Sequence, residues 1–432
     1  LLKMLSRQAV RSAHHAAAKS GAPLARLPEQ STKLPSGLTV ASAERHGAIA
    51  HFVLAFRAGS RYEAANQAGL VHHVRNMMGT DSTRYGAVQL IWSACSAGAD
   101  VSSFSTADVL GVRVSVPRDA SSLALSVLGH IGGDPAFKEW DLEDTLPSLK
   151  TDISYLRASD IVFEDIRRAA YRNGSLSHST YAAPHTIGKY SGSDLRSFAA
   201  SRLVSGQAVL YGINVDHDNF RRFAETQAPV KEASGSGASS SPYRGGEWRR
   251  DGPGQLAHVV IVGQGASATD ASALATQAVL VAALGTGAST KFGSAVGKGA
   301  LSAAAKNGAA VTAFEQAFEG EGLVGAYVLA DASRIADATL GVSRALKGFT
   351  AGDIEGAKAR AKMDIYRKAA KAADAATARS IEVLAGLKEG AILAAIDGVT
   401  ASSVEAAAKK AATNLSIASY GAIANVPYRD QL

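Results

Sequence analysis

The chain is written twice, and that repetition constrains its fold more than any other feature. Ala50-His51-Phe52-Val53-Leu54-Ala55-Phe56 reads as a strand, ends at Ala58-Gly59-Ser60 and leads into a helical segment. Ala257-His258-Val259-Val260-Ile261-Val262, 207 positions later, ends at Gly265-Ala266-Ser267 and leads into another. A second match closes each half: Ala208-Val209-Leu210-Tyr211-Gly212 and Ser416-Ile417-Ala418-Ser419-Tyr420-Gly421, with the Tyr-Gly pairs 209 apart. Two matches at nearly one offset predict two homologous halves. Short strands separated by long helical stretches predict α+β halves, each a mainly antiparallel sheet with helices packed on one face.

Between the repeats lies Lys231-Glu232-Ala233-Ser234-Gly235-Ser236-Gly237-Ala238-Ser239-Ser240-Ser241-Pro242. So much Gly and Ser cannot build a core and reads as a flexible linker. The expected division is a head at 1–28, a first half at 29–225, the linker at 226–246 and a second half at 247–432. The head carries Lys3, Arg7, Arg11, Lys19 and Arg26, with no acid before Glu29. Leu5, Arg7, Val10 and Arg11 alternate apolar and basic positions, the pattern of a mitochondrial presequence rather than a secretory signal. Most of the net charge of +7 sits in that head. The body is close to neutral and has no basic run with interleaved aromatics, so no nucleic-acid partner is expected. The single cysteine, Cys95, excludes an internal disulfide and a cysteine-rich zinc site. Ala271–Thr290 is uncharged, but Ala, Gly, Ser and Thr dominate it and Gly285 and Gly287 interrupt it. It reads as a buried helix entering a glycine-rich turn, not a membrane span. In 357–387, Lys and Arg alternate with Ala, Met363, Ile365 and Tyr366, which predicts a solvated helix pair with an Ala-rich buried face.

Residues 69–80 carry the chemical question. A zinc peptidase built on the inverted motif His-x-x-Glu-His would need His, Glu and His at 72, 75 and 76; this chain has His72, Arg75 and Asn76. A catalytic zinc needs about three nitrogen or oxygen ligands and an open position, and the Glu activates the metal-bound water. Arg75 is a permanent cation and cannot accept a proton; Asn76 is a poor ligand. His73 lies about 100° round the helix from His72. No catalytic or metal site is therefore expected. Other candidates are weaker. Gly293-Ser294-Ala295-Val296-Gly297-Lys298-Gly299 lacks the spacing and the hydroxyl of a phosphate loop. Gly263-Gln264-Gly265 lacks the third glycine of a dinucleotide fingerprint. His178 and His185, flanking Tyr181 and Pro184, read as solvated or capping residues, and His72 as a helix histidine bonded to backbone or a carboxylate.

Several stretches resemble the mitochondrial processing peptidase family and its relatives among the core subunits of respiratory complex III. They are Lys33-Leu34-Pro35-Ser36-Gly37-Leu38-Thr39-Val40-Ala41-Ser42, Arg57-Ala58-Gly59-Ser60-Arg61-Tyr62-Glu63, Ala169-Ala170-Tyr171-Arg172-Asn173, Tyr243-Arg244-Gly245-Gly246-Glu247, Glu321-Gly322-Leu323-Val324-Gly325-Ala326-Tyr327 and Pro427-Tyr428-Arg429-Asp430-Gln431-Leu432. The resemblance places Asp152 near the third-ligand slot, where the family has Glu. It implies a non-catalytic core subunit of complex III, peripheral on the matrix side of the mitochondrial inner membrane, supporting assembly and stability of the electron-transferring subunits. The implied partners are a core protein 1 homologue and the cytochrome b, cytochrome c1 and Rieske subunits, in a dimeric complex. Haem and iron–sulfur cluster would belong to those partners, and no cofactor to this chain. The alternative is the presequence-recognising, non-catalytic subunit of a processing peptidase. Thr286, Ser289, Lys291 and Phe292 interrupt the 285–299 stretch where that subunit has a purer glycine loop, which favours the first reading.

Overall fold

The computed structural model describes residues 27–227, 230–285, 299–304 and 309–432. Almost all of the expected presequence, and all but the ends of the glycine-rich stretch, lie outside the described residues. In the first half, β1 (Gln30–Lys33), β2 (Thr39–Ala43), β3 (Ile49–Phe56), β4 (Asp100–Ser105), β5 (Leu110–Pro117) and β6 (Ala208–Ile213) form one sheet in the order β1-β2-β6-β3-β5-β4. In the second, β7 (Glu247–Asp251), β8 (Leu256–Gln264), β9 (Ala310–Phe318), β10 (Glu321–Asp331) and β11 (Ser416–Gly421) run β7-β11-β8-β10-β9. Without β1 the two orders are the same. Each sheet is antiparallel apart from one parallel pair, β2–β6 and β7–β11.

The register sharpens the repeat. Val53 faces Tyr211, and its counterpart Val260 faces Ala418. Ala41 faces Tyr211, and its counterpart Trp248 faces Ala418. Tyr211 therefore corresponds to Ala418, and the Tyr-Gly match is two residues out of register. A slip of two preserves the side-chain face, so the pattern survived it.

The first half contributes α1 (Leu70–Met77), α2 (Ala87–Ser96), α3 (Ser121–Gly133), α4 (Glu139–Ser154), α5 (Ala158–Tyr171), α6 (Gly192–Arg202) and α7 (His217–Gln227). The second contributes α8 (Ala271–Leu284), α9 (Ile335–Lys347), α10 (Ile354–Lys368), α11 (Ala372–Leu384), α12 (Ala391–Ile396) and α13 (Ala401–Ala412). Phe52, Leu54 and Leu210 pack with Leu125, Leu128 and Ile131 of α3, and Val259, Ile261 and Ile417 with Val279, Leu280 and Val342 of α8 and α9.

The opposite faces are covered by exchange. Val53, Ala55, Val209 and Tyr211 pack against Ala375, Ala376 and Leu384 of α11, from the second half. Val260, Val262, Leu323 and Ala418 pack against Val162, Ile166, Ala169 and Tyr171 of α5, from the first. The expectation of helices on one face is thus corrected. The signal was present: Phe52–Phe56 and Val259–Gly263 are buried without alternation, which requires cover on both sides. The expected solvated pair at 357–387 is corrected too. Its Ala face is buried as expected, but α10 packs on α8 while α11 lies on the first sheet.

Each exchanged helix carries a buried charge, of opposite sign, bonded to the other half. Asp165 on α5 accepts from Arg250 of β7 at 2.7 Å. Arg379 on α11 holds Glu29 with two hydrogen bonds, Nε–Oε2 at 2.8 Å and Nη2–Oε1 at 2.9 Å. The connecting segment is pinned rather than slack. The N–H groups of Ser205 and Gly206 donate to the carbonyls of Lys231 and Ala233, both at 2.9 Å. Gln207 donates to Ser234 O at 2.9 Å and Arg61 to Ser239 O at 3.2 Å. Ser241 Oγ, nearly fully buried, accepts from Leu176 N–H at 3.2 Å. Composition showed only that the segment has no core of its own; its backbone bonds come from residues far away in sequence.

Candidate functional site

Arg57–Glu63 builds the platform beneath α1. Arg57 binds Glu319 across the halves at 3.1 Å and donates to Leu384 O at the end of α11. Arg61, buried, pairs with Asp108 at 2.7 Å and donates to Glu319 O at 2.8 Å. Ser60 Oγ donates to His178 O at 3.0 Å. Glu63 turns inward and accepts the first free N–H groups of α1, from Gly69 at 2.9 Å and Val71 at 2.7 Å. Burial pushes its carboxyl up to about 8, against those two bonds, which favour the ionised form. Gly69 has φ 90°, and a Cβ there would lie 2.7 Å from Ala182 Cα, so only glycine lets the 181–184 loop close over α1. This motif is the joint between the halves and the cap of the helix.

Three side chains of α1 converge on one carboxylate oxygen of α4, Asp152 Oδ2. His72 Nε2 lies 3.1 Å from it, Asn76 Nδ2 donates at 3.1 Å, and the Arg75 guanidinium forms a close ion pair with it. Asn76 also donates to His72 O at 3.1 Å. Tyr181 completes the cluster, its ring 5.4 Å from that of His72 and 5.6 Å from the Arg75 guanidinium carbon. The Ala182 N–H donates to His72 Nδ1 at 3.2 Å. Nδ1 is therefore the acceptor, and Nε2 carries the proton and donates it to Asp152. Burial, then the Arg75 charge, lower the His72 pKa to about 4 despite Asp152. Burial alone would raise the Asp152 pKa; the bonds from Asn76 and His72 and the Arg75 charge outweigh it and hold Asp152 low.

These residues do not suit a catalytic zinc. A metal-ligating imidazole normally donates its far N–H to a second group, which leaves the near nitrogen's lone pair for the metal. Here the backbone imposes the reverse tautomer on His72. Asp152 Oδ2 is already occupied by three donors, one a guanidinium, and position 75 supplies no general base. No group of three or more His, Cys, Asp or Glu residues among the described residues is arranged to hold a metal. The cluster acts as a polar clamp between α1 and α4.

The other candidates do not join it. His73 is buried and satisfied at both ends, donating to Gly69 O at 2.8 Å and accepting from Gly188 N–H at 3.2 Å. His178 Nδ1 reaches Ser60 O at 3.2 Å, and His185 is exposed. Cys95 is exposed on α2. Gly263 is a packing glycine, since a Cβ there would sit 1.8 Å from Ala411 O. Lys291 and the rest of 286–298 lie outside the described residues. Sequence reasoning missed the Ala182 N–H, a backbone donor that no residue type announces, and the structural role of Arg57–Glu63.

One prediction concerns pH. His72 is neutral in the fold, with its pKa depressed below the unfolded value of 6.5. Its contribution to stability is complete above about pH 6.5 and is lost as pH falls from there toward 4. Glu63 has the opposite sign, so the difference between the native chain and His72→Gln isolates the effect. Between pH 7 and 4.5 the native chain should lose on the order of 2–3 kcal/mol relative to the variant. Chemical denaturation at each pH measures it, and parallel pH profiles would contradict it.

The profile of the family Insulinase (Peptidase family M16) matches residues 39–184. Cytochrome b-c1 complex subunit 2, mitochondrial, of Homo sapiens is 27% identical over 430 residues, covering 96% of this chain and 94% of that protein. This chain is a relative of cytochrome b-c1 complex subunit 2. The Mus musculus protein of the same name is 25% identical with the same coverage. The probable mitochondrial-processing peptidase subunit alpha-1 of Arabidopsis thaliana is 24% identical, but over 54% of this chain and 46% of its own length. A chain in the solved structure of complex III2 from Candida albicans, Inz-5 bound, superimposes with a TM-score of 0.80, at 19% identity, over 93% of this chain and 98% of that one. The M16 family match lies within the first half, and the subunit 2 likeness spans both halves. No helix among the described residues is long and apolar enough to cross a membrane.

Proposed function

We propose that the chain is a non-catalytic core subunit of mitochondrial complex III, ubiquinol–cytochrome c reductase. The observation that carries this reading is the Arg75–Asp152 clamp, closed by His72 and Asn76 at the positions where an M16 peptidase holds its metal. The full-length likeness to subunit 2 supports it. The chain would sit peripherally on the matrix side of the inner membrane. It would pair with a core protein 1 homologue and support the cytochrome b, cytochrome c1 and Rieske subunits in a dimeric complex. Haem and iron–sulfur chemistry would be theirs, and this chain would bind no cofactor. Its part is to offer surface, since obligate interfaces bury upwards of about 2,000 Å². Depleting the chain from mitochondria should remove ubiquinol–cytochrome c reductase activity and leave presequence cleavage in the extract intact. Loss of cleavage with intact reductase would support the alternative instead, a presequence-recognising subunit of a processing peptidase.

The clamp also sets the result of rebuilding the motif. The double variant Arg75→Glu, Asn76→His should not give robust peptidase activity, because His72 still presents a protonated Nε2 while Ala182 N–H holds Nδ1. Zinc-dependent cleavage of a presequence peptide by that variant would refute this.

A further inference from the structure

The two sheets differ at one edge. Without β1 their strand orders are the same, so β2 and β7 are counterparts. β1 pairs with the outer edge of β2, and no strand among the described residues pairs with the outer edge of β7. Val40, Ala41, Ser42 and Ala43 correspond to Glu247, Trp248, Arg249 and Arg250. Beside β1 the first four are buried; Trp248 is 39% exposed and Arg250 is exposed too.

The edge of β7 is open in its backbone. Gly246 O accepts from Ile417 N–H at 3.0 Å, and Gly252 N–H donates to Gly421 O at 3.3 Å. Successive residues of a strand turn their backbone groups to alternate sides. Gly246, Trp248, Arg250 and Gly252 therefore face β11, and Glu247, Arg249 and Asp251 face outward. None of the outward N–H and C=O groups makes a hydrogen bond to a described residue. Such a row is a template for another strand, and charged side chains commonly guard it. Here three of the four charged side chains are committed elsewhere. Arg249 donates to Ile423 O and Val426 O at 2.8 and 3.0 Å, Glu247 accepts from Arg429 N–H at 3.0 Å, and Arg250 holds Asp165. A hollow of about 510 Å³, lined in part by Gly246, Glu247 and Trp248, opens beside the start of the strand.

The first half shows what fits such an edge. β1 runs antiparallel to β2, with Gln30 facing Ser42 and Thr32 facing Val40, the positions of Arg249 and Glu247. Glu29, one residue before β1, is held by Arg379 of α11. The matching residue of α5, Asp165, is 1% exposed, and its Oδ2 takes no hydrogen bond. We propose that the outer edge of β7 takes an extended segment of a partner chain as an added antiparallel strand, in the place that β1 holds on the first sheet. Main-chain hydrogen bonds supply the pairing, and a hydroxyl, amide or amine side chain at the place of Glu29 donates to Asp165. A second copy of this chain cannot spare its β1, which its own β2 and Arg379 already hold. Backbone pairing asks no net charge of the surroundings, where Glu247 stands with Arg168 and Arg172. The proposal rests on the assembly reading only in that a partner supplies the strand.

Hydrogen exchange, read residue by residue over 246–252, tests it on the full chain alone and on the native assembly isolated through a tag on this chain. The comparison stands whether that assembly stains for haem or cleaves presequences. The inward N–H groups of Trp248 and Arg250 should be protected in both states. Those of Glu247 and Arg249 should be unprotected in the isolated chain and at least about tenfold slower in the assembly. Arg249→Pro removes one outward N–H, whereas Arg249→Ala loses the same side chain and keeps it; the fraction recovered in the assembly should be at least about fivefold lower for the proline variant. Equal exchange of Glu247 and Arg249 in the two states would overturn the proposal, as would equal recovery of the two variants at equal unfolding midpoints. Protection already present in the isolated chain would overturn it in favour of a segment of this chain. Where Arg249→Pro unfolds, the exchange comparison decides alone.

Discussion

Expressed apart, residues 29–227 and 247–432 should each fail to reach a native state, and expressed together they should assemble into one. Each sheet depends on the other half for its second face. Val53, Ala55, Val209, Tyr211 and Ile213 are almost fully buried, on the face covered by α11. Val260, Val262, Leu323 and Ala418 are likewise buried, on the face covered by α5. Fully burying one large aliphatic or aromatic side chain contributes about 1.5–3 kcal/mol. Exposing several at once exceeds or rivals the roughly 5–15 kcal/mol by which whole domains are stable. The expected result is aggregation or dye-binding, non-cooperative material for either half alone, and a soluble heterodimer with a cooperative transition on co-expression. A single half that unfolds cooperatively and binds no hydrophobic dye would show that the exchange is decoration. The same geometry argues that the connecting segment can be cut without dispersing the molecule, since α5 and α11 hold the halves together.

The second large effect is expected at Arg379. It is 9% exposed and makes two bonds to Glu29, one to Glu382 at 2.7 Å and one to Leu387 O at 2.7 Å. Tyr211 OH donates to the same Glu29 at 3.0 Å. Burial alone would lower the Arg379 pKa, but Glu29 and Glu382 outweigh it, so its charge is secure. Arg379→Ala would leave Glu29 enclosed without its cation, a change that costs about 3–5 kcal/mol where a buried pair is broken from one side. The double change Glu29→Leu, Arg379→Met should recover much of that loss, because the pair's own net contribution is small once desolvation is counted. Denaturant midpoints at neutral pH measure both. A loss below about 1 kcal/mol for Arg379→Ala would mean that the groups are hydrated in solution. Arg379 and Asp165 occupy matching places on the two exchanged helices with opposite charge, so the repeat kept a buried ionic anchor there and inverted its sign.

The division into halves was legible because strand and helix periods recur at nearly one offset, and the strands at 50–56 and 257–262 fell where expected. Register was less legible. Tyr211 and Tyr420 look equivalent, but only cross-strand pairing identifies Ala418 as the true counterpart. Exchange of helices was visible only indirectly, in the unbroken apolar run at Phe52–Phe56. A sequence shows that a face needs cover, not which distant segment supplies it. At the site, the residue types at 72, 75 and 76 were legible, and the fold adds that all three meet Asp152. The imidazole tautomer was not legible, because it depends on the Ala182 main chain.

The central proposal is that a peptidase-like scaffold serves here as structure within complex III. Native electrophoresis of gently solubilised mitochondria, with haem staining and identification of this chain across the lane, tests it most directly. The account predicts that the chain migrates in the large haem-staining band and is scarce elsewhere. A chain found instead in a small, haem-free heterodimer that cleaves presequence peptides would contradict it.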